Sequence, residues 1–560
     1  MSSGKSQVNN MDQISALKRN AISYIIISLM IIVISPLLNA QSAKFWVFFN
    51  NRDGGTRAQI SDKALSRRAL RGSLTGLSEY DYLPPARYLD SLEAAGYTIN
   101  GVSRWLNAAS VSGGPDISSI TKRYSFVKDS RPVAVFHQRI IEPEEIDQNL
   151  YKGYYPKSVT AFDYGVSYNQ VHLCQIDSLH SLDLSGSGVL IGTMDTGYDL
   201  NHPAFADVVN SNRILATYDF INDEEDVQES GAQASHGTAT FSVMSGFAEG
   251  SLIGAAYGAD FLLAETEIRN EEIIAEEDNW VEAAEWMEAQ GADIISSSLG
   301  YIDWYTQSQL DGHTCAITIA ANVANSLGVI VVNSAGNERG NLWGTIIPPA
   351  DGDSVIAAGG VNAYGSLWTG SSPGPTADGR IKPDVCAMAQ GVIAAASGSS
   401  SYYGFTGTSM AAPIVAGGIA LILEANPDWD LHTVIANLKY TATDANSPNN
   451  DYGWGIAKFY NIYSGQTPEF KTRFFVAPSP AVNTVTFQFS PPISEAAKIT
   501  IFTVDGVKVN TLHIEAQENG TAQKLWDAKN NYGKKIASGI YLASLQHQSD
   551  CQTIKFAFVY

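Results

Sequence analysis

Cysteine is nearly missing from this 560-residue chain: Cys174, Cys315, Cys386 and Cys551 are the four present, and they lie far apart. That spacing excludes a disulfide framework and a thiolate metal site, while leaving room for a single bridge. Basic side chains are also scarce. Thirty-five Lys and Arg stand against 57 Asp and Glu, for a formal charge of −22. So acidic a surface favours solubility and excludes a nucleic-acid partner. What the chain does have is apolar material, 45% of its residues, enough for real cores. Its length implies about three or four folded units.

The first 40 residues read as an export signal. Lys18 and Arg19 precede an apolar run from Ala21 to Leu38, and Leu38-Asn39-Ala40 has the small-residue character of a cleavage site before Gln41. The run is long for a signal core, about the minimum for a spanning helix, so an uncleaved anchor is the alternative. Met11 offers a second start. Residues 41–150 then read as a small α+β unit. It has a strand at Lys44 to Phe49, a helix between Pro85 and Ala95 with Tyr88, Leu89 and Leu92 at helical spacing, a strand near Thr98 to Val111, and another at Tyr124 to Val127. From residue 155 to 465 strand and helix alternate: Val189–Met194, a helix from Gly237, Phe261–Glu265, a helix from Asn279 to Ala289, Ile294–Ser297, a helix from Cys315 to Ser326, and Val329–Val332. This α/β pattern predicts a parallel sheet covered on both faces. Trp280, Ala283, Ala284 and Met287 then form a core stripe. Beyond Thr467 the period becomes two, as in Val485, Phe487 and Phe489, with an Asp505-Gly506 hairpin turn and a last strand at Ile554, Phe556 and Phe558. Residues 468–560 therefore read as a separate β-sandwich.

Four short motifs carry chemistry. Asp195 ends the strand Val189–Met194, where polar groups of open α/β sheets collect. His236 sits in Ser235-His236-Gly237-Thr238 ahead of a buried small-residue stretch. Ser409 in Gly407-Thr408-Ser409-Met410-Ala411-Ala412-Pro413 opens an apolar helix, Met410 to Leu423, whose N-terminus favours developing negative charge. Asn337 follows Ala335-Gly336 at the end of a strand. A serine hydroxyl needs a base to become a nucleophile, and the base needs a carboxylate to hold its tautomer. Taken singly, the Asp is a cap, the His a core histidine and the Asn a left-handed turn residue; nearby Asn333 has a structural role of that sort. Together, and in chain order Asp, His, Ser, they are a catalytic set.

These motifs resemble those of the subtilisin-like serine proteases (subtilases, peptidase family S8) over residues Tyr155 to Ile462. The resemblance implies a parallel-sheet catalytic domain with Asp195 as orienting carboxylate, His236 as general base and acid, Ser409 as nucleophile and Asn337 as oxyanion donor. It places Ser298-Leu299-Gly300 on an edge strand that pairs with extended peptide, and makes Ala335 and Gly336 pocket walls, with Ser298, Leu299 and Gly300, that admit large apolar groups. It implies that residues 41–150 are an inhibitory propeptide, the chain's own intramolecular inhibitor, with an interaction domain as the alternative. The cut would fall between Glu142 and Phe162, in or after the acidic stretch Glu142 to Asn149. Two departures stand out. Ala239 holds the place of a second histidine common after the catalytic one, and an acidic insertion, Asn222 to Ala234, lies between Asp195 and His236. Its run Asn222-Asp223-Glu224-Glu225-Asp226 has ligands for structural calcium without the spacing of a defined loop, so a solvated face is the stronger reading. The chemistry requires no cofactor. Ala477-Pro478-Ser479-Pro480-Ala481 and Ser538-Gly539-Ile540-Tyr541 resemble the sorting domain of type IX secretion cargo in Bacteroidota, which implies the secretion machinery as partner. An adhesive sandwich is the alternative. The expectation is a secreted or cell-surface serine endopeptidase, made as a zymogen, acting on proteins or peptides. A catalytically silent subtilase-fold binding or adhesive protein is the rival.

Overall fold

The computed structural model describes residues 44–134, 162–268, 277–465 and most of 473–559. The signal-peptide expectation, the acidic stretch at 142–149 and the Asp505-Gly506 turn lie outside the described residues. The chain divides into two compact units, Met1–Gly465 and Gln466–Tyr560.

The N-terminal part of the first unit is a four-stranded antiparallel sheet formed by β1 (Phe45–Phe49), β2 (Tyr97–Ser103), β3 (Ala108–Gly113) and β4 (Val127–Pro132), in the order β2-β3-β1-β4. Two helices accompany it, α1 (Asp62–Arg71) and α2 (Ala86–Ala94). The continuous apolar run of β1 follows from burial on both faces. Val47 and Phe49 join Tyr88 and Leu92 in a local core, while Trp46 and Phe48 face the larger domain. The single strand expected near Thr98 to Val111 is in fact two, folded back through a turn in which Asn107 takes φ 50°. The strand expected at Tyr124 to Val127 starts only at Val127 and runs on to Pro132.

The larger part is built on seven parallel strands. In chain order they are β5 (Leu190–Asp195), β6 (Ile214–Asp219), β7 (Asp260–Glu265), β8 (Ile294–Ser297), β9 (Ile330–Ser334), β10 (Ile356–Val361) and β11 (Val385–Met388). They are arranged β11-β10-β9-β8-β5-β7-β6. Alternate residues feed two cores. Ile191, Ile330 and Val332 meet α3 (Ser235–Ser245) and α6 (Thr408–Ala425) on one face. Leu190, Met194 and Val331 meet α4 (Glu277–Gln290) and α5 (Ala316–Ser326) on the other. Trp280, Ala283, Ala284 and Met287 of α4 are fully buried, as their spacing predicts. Gly192 lets that helix close on the sheet, since a Cβ there would lie 2.4 Å from Met287 Sδ. The apolar helix α6 is long enough to cross a membrane by composition, yet it is the buried central helix of this core. Cys174, Cys315 and Cys386 are buried free thiols.

The N-terminal sheet docks on α4 through hydrogen bonds and ion pairs. Glu288 on α4 receives Arg67, Arg68 and Arg104; Arg68 also makes a bidentate pair with Asp81 at 2.8 and 2.9 Å. Glu285 accepts the backbone N–H groups of Arg104 and Trp105 at 3.1 and 3.0 Å. Beyond α4, Arg71 pairs with Asp293 at 2.6 Å.

The second unit has a three-stranded sheet (Arg473–Val476, Val485–Ile493, Thr521–Trp526) and a five-stranded one that includes Ala497–Thr503, Gly539–His547 and Asp550–Val559. One core draws Phe487 and Trp526 from the first and Ile499, Ile501 and Phe556 from the second. This is the expected two-layer β arrangement.

Candidate active site

Asp195 is the last residue of β5 and almost wholly buried. Every lone pair direction that matters on its carboxylate is occupied. Oδ1 accepts the N–H of Thr196 at 2.8 Å and faces His236 Nδ1 at 2.6 Å, while Oδ2 accepts the Thr240 hydroxyl at 3.0 Å. His236 is the second residue of α3, whose start is held close to the strand end by glycine. A Cβ on Gly237 would lie 2.2 Å from the Gly197 carbonyl oxygen. The imidazole is fixed through Nδ1, and its Nε2 is buried with no hydrogen-bond partner. The place of the second histidine, Ala239, faces the core on the same helix.

Burial governs the acids behind Asp195. Glu265, its register partner on β7, is pushed up to about 8 by burial and by Asp219; Glu267 is driven well above the carboxylate range, mainly by burial. Burial thus disfavours the charged form of both beside Asp195. Gln233 ties them together, donating to Glu265 Oε1 at 3.1 Å and to the Glu267 carbonyl at 2.9 Å.

Ser409 is the second residue of α6, not the first as its sequence suggests; Thr408 opens the helix after Gly407. Its hydroxyl donates to the Ser298 carbonyl at 3.3 Å, and Ser298 Oγ donates back to the Ser409 carbonyl at 2.8 Å. Asn337 lies just beyond β9. Its amide oxygen accepts both the N–H and the hydroxyl of Thr408, each at 2.9 Å. Because the oxygen is pinned, the NH₂ group is the end left to donate. Gly407, at φ 154°, lies beside that end: a Cβ there would make ordinary contact with Asn337 Nδ2, at 3.4 Å.

Ser298, Leu299 and Gly300 do not belong to a strand; they run on from the C-terminal end of β8 beside Ser409. The Leu299 carbonyl is held by Asn333 Nδ2 at 3.0 Å. Asn333 therefore has a structural role, but as a strand residue of β9 rather than a turn former. The turn conformation belongs to Gly336, at φ 108°, whose N–H donates to Thr408 Oγ1 at 3.1 Å next to the buried Ala335. Two contributors carry no assignment from sequence, Thr240 and Thr408. The first lies one helical turn after His236 and so on its face; the second lies inside the Ser409 motif. Residues 222–226 are exposed, and among the described residues no group of three or more His, Cys, Asp or Glu converges to hold a metal ion.

Compared with known proteins, residues 186–455 match the family model described as Subtilase family, Peptidase S8, and this span contains all four motif residues. That span is similar to the subtilase family. Residues 44–148 match a Peptidase S8 propeptide domain of Bacteroidota. Subtilisin E of Bacillus subtilis (strain 168) is 29% identical over 270 residues, 48% of this chain and 63% of its own. Subtilisin J of Geobacillus stearothermophilus is 26% identical over 369 residues, covering 63% of this chain and 88% of its own. The chain thus spans under two thirds of the first of these relatives. The crystal structure of fervidolysin from Fervidobacterium pennivorans, described as a keratinolytic enzyme related to subtilisin, superposes with a TM-score of 0.57 at 17% identity, over 92% of this chain and 76% of its own. At that identity the likeness speaks for the subtilase fold alone.

Proposed function

We propose that the chain is a serine endopeptidase of the subtilisin type that hydrolyses peptide bonds through an acyl-enzyme. Ser409 attacks the carbonyl carbon, His236 Nε2 takes its proton and returns it to the leaving amine, and Asp195 holds the imidazole and its positive charge. Asn337 Nδ2 and the Ser409 N–H stabilise the oxyanion. Ser298, Leu299 and Gly300 line up the extended peptide, and Ala335 and Gly336 wall the pocket before the scissile bond. One observation carries the reading: the Asn337 amide oxygen is consumed by Thr408, so that a donor faces the nucleophile's side of the site. Packing alone gives no reason to commit two hydrogen bonds to orienting one half-buried amide.

A second reading, a silent binding protein on the same fold, draws on one observation: the Ser409 hydroxyl donates to Ser298 and not to His236. Catalytic hydrogen bonds of a resting site commonly tighten only with substrate, and His236 Nε2 is buried without another partner. Ser409→Ala decides between the two. It should abolish both peptide hydrolysis and labelling by a fluorophosphonate, while leaving the fold nearly unchanged. Equal labelling of parent and variant would remove Ser409 from the mechanism.

The same proposal extends along the chain. Residues 41–150 act as an inhibitory propeptide cleaved between Glu142 and Phe162, and residues 155–465 are the catalytic domain. Residues 1–40 direct export, and residues 468–560 resemble a type IX sorting domain, which places the enzyme outside the cell or on its surface. The docking of the N-terminal sheet against α4 and the propeptide-family match support the first of these.

A further inference from the structure

The acids of α4 that face the N-terminal sheet divide into two kinds. Glu288 is met by guanidinium groups, those of Arg67, Arg68 and Arg104. Toward the start of the helix the partners are neutral. Fully buried Glu277 accepts Trp46 Nε1 at 2.9 Å and the Ala134 N–H at 3.2 Å, and from its own domain the Tyr305 hydroxyl at 2.8 Å. Glu282 accepts the Val102 N–H, and the backbone comes so near that a Cβ on Gly101 would lie 2.7 Å from Oε1. The charged groups around these two are Asp278, which pairs with Lys44 at 3.2 Å, and Glu285, which has Arg104 at 3.5 Å. Two carboxyl groups, Glu277 fully and Glu282 partly buried, therefore meet neutral donors of the docked sheet amid further acids, with Lys44 the cation that acts on Glu282.

We propose that this face of α4 is a proton-linked latch, on which the cleaved N-terminal unit stays docked in mild acid and from which it is released as the solution turns alkaline. The proposal rests on reading residues 44–148 as a propeptide that is cut from the chain. Desolvation is the cause. The docked sheet strips water from both carboxyls, and burial pushes Glu277 up to about 7 and Glu282 up to about 8 from an ordinary 4.5. Burial likewise raises Glu285 despite Arg104. At Glu288 burial acts in the same sense, but the arginines outweigh it and hold the carboxyl below its usual range. Once the sheet departs, water returns and Glu277 and Glu282 become ordinary acids. A group whose pKa is raised in the complex takes up a proton on docking. Docking is then strongest below the free value and weakens as pH rises through the bound values. Each such group changes affinity by up to about ten-fold per pH unit inside that window.

The test uses the full chain carrying Ser409→Ala, with a site-specific protease sequence placed within residues 135–161. After cutting, gel filtration at pH 5.5 and pH 8.5 measures how much of the N-terminal fragment travels with the remainder. The expected result is co-elution at pH 5.5 and a dissociation constant at least ten-fold larger at pH 8.5. The double variant Glu277→Gln and Glu282→Gln, which imitates the protonated acids, should stay docked at both. Equal retention of the parent at both pH values, or tighter docking at pH 8.5, overturns the latch while leaving the propeptide reading intact. A fragment that dissociates at every pH overturns the docking and the propeptide reading together. Should the double variant not fold, proton uptake by the parent on docking, read from the buffer dependence of the binding heat, must be close to one or more protons near pH 6.5, and none would sink the proposal.

Discussion

At the scale of single residues, the site spends its hydrogen bonds on orientation. Asn337→Leu removes the donor while leaving the pocket's shape, and should lower turnover by roughly two to three orders of magnitude with little change in apparent affinity, because the donor acts mainly on the transition state. If the Michaelis constant rises and turnover holds, Asn337 is a binding residue. Thr408→Val is gentler. It deletes the hydroxyl that holds Asn337 Oδ1 and receives the Gly336 N–H, yet leaves the Thr408 N–H in place. The loss should be about ten-fold in turnover, in line with about 1 kcal/mol per hydrogen bond. The difference between the two variants separates the donor from the residue that aims it. Steady-state kinetics on one fluorogenic peptide measures both.

At the scale of elements, one buried carboxylate held by two lysines fastens the far edge of the sheet. Asp384 directly precedes β11, accepts the Ala357 N–H of β10 at 2.8 Å, and meets Lys382 and Lys439 at 2.7 Å each. Burial opposes its ionisation, but the two lysines prevail and hold it at about 2. Because the folded value lies below the ordinary 3.8, its stabilisation is present above about pH 4 and is lost as pH falls toward 2. Asp384→Asn should cost about 3–5 kcal/mol, since Lys382 is left buried without its counter-charge, and should flatten the acid limb of the stability profile. Denaturant melts between pH 2 and 6 check both. Elements differ in how plainly the sequence announces them. β8 is readable to the residue because Ile294 and Ile295 are flanked by Gly291 and the small residues that follow. α1 is silent because three of its four buried positions are Arg67, Arg68 and Arg71, with Ala64 the one apolar residue among them, so a hydrophobic period never arises. β10 is hidden for a related reason: Ala357, Ala358, Gly359 and Gly360 have little strand propensity, and parallel pairing on both sides overrides it. Within the site, Asp195, His236, Ser409 and Asn337 are legible because each stands alone among small residues. Thr240 and Thr408 become visible only once the backbone shows what their hydroxyls touch.

At the scale of the whole molecule, the order of units sets the order of events. If residues 41–150 inhibit until they are cut away, N-terminal sequencing of the secreted, active form should give a start between Glu142 and Phe162. A fully active protein that begins at Gln41 would instead favour an interaction domain. At the other end, deletion of the residues after Thr467 should leave peptide hydrolysis unaltered and strand active protein in the periplasm. Loss of binding to a surface or partner, with normal release, would favour the adhesive reading.

The strand order of the parallel sheet also bears on time. β5 is made before both of its neighbours, yet it pairs with β7 on one side and β8 on the other; it ends at Asp195 and has no partner until Asp260 is reached and no second one until Ile294. Contacts so distant in sequence close slowly. The N-terminal sheet is complete well before that moment, and its arginines wait for a carboxylate on α4, the helix that links β7 to β8. A chain lacking residues 41–150 should therefore refold more slowly than the intact one, and the deficit should be recovered in part by a variant that strengthens α4 on its own. Stopped-flow refolding of the two Ser409→Ala chains would show whether the nucleus of this fold is supplied by a segment that the finished enzyme no longer carries.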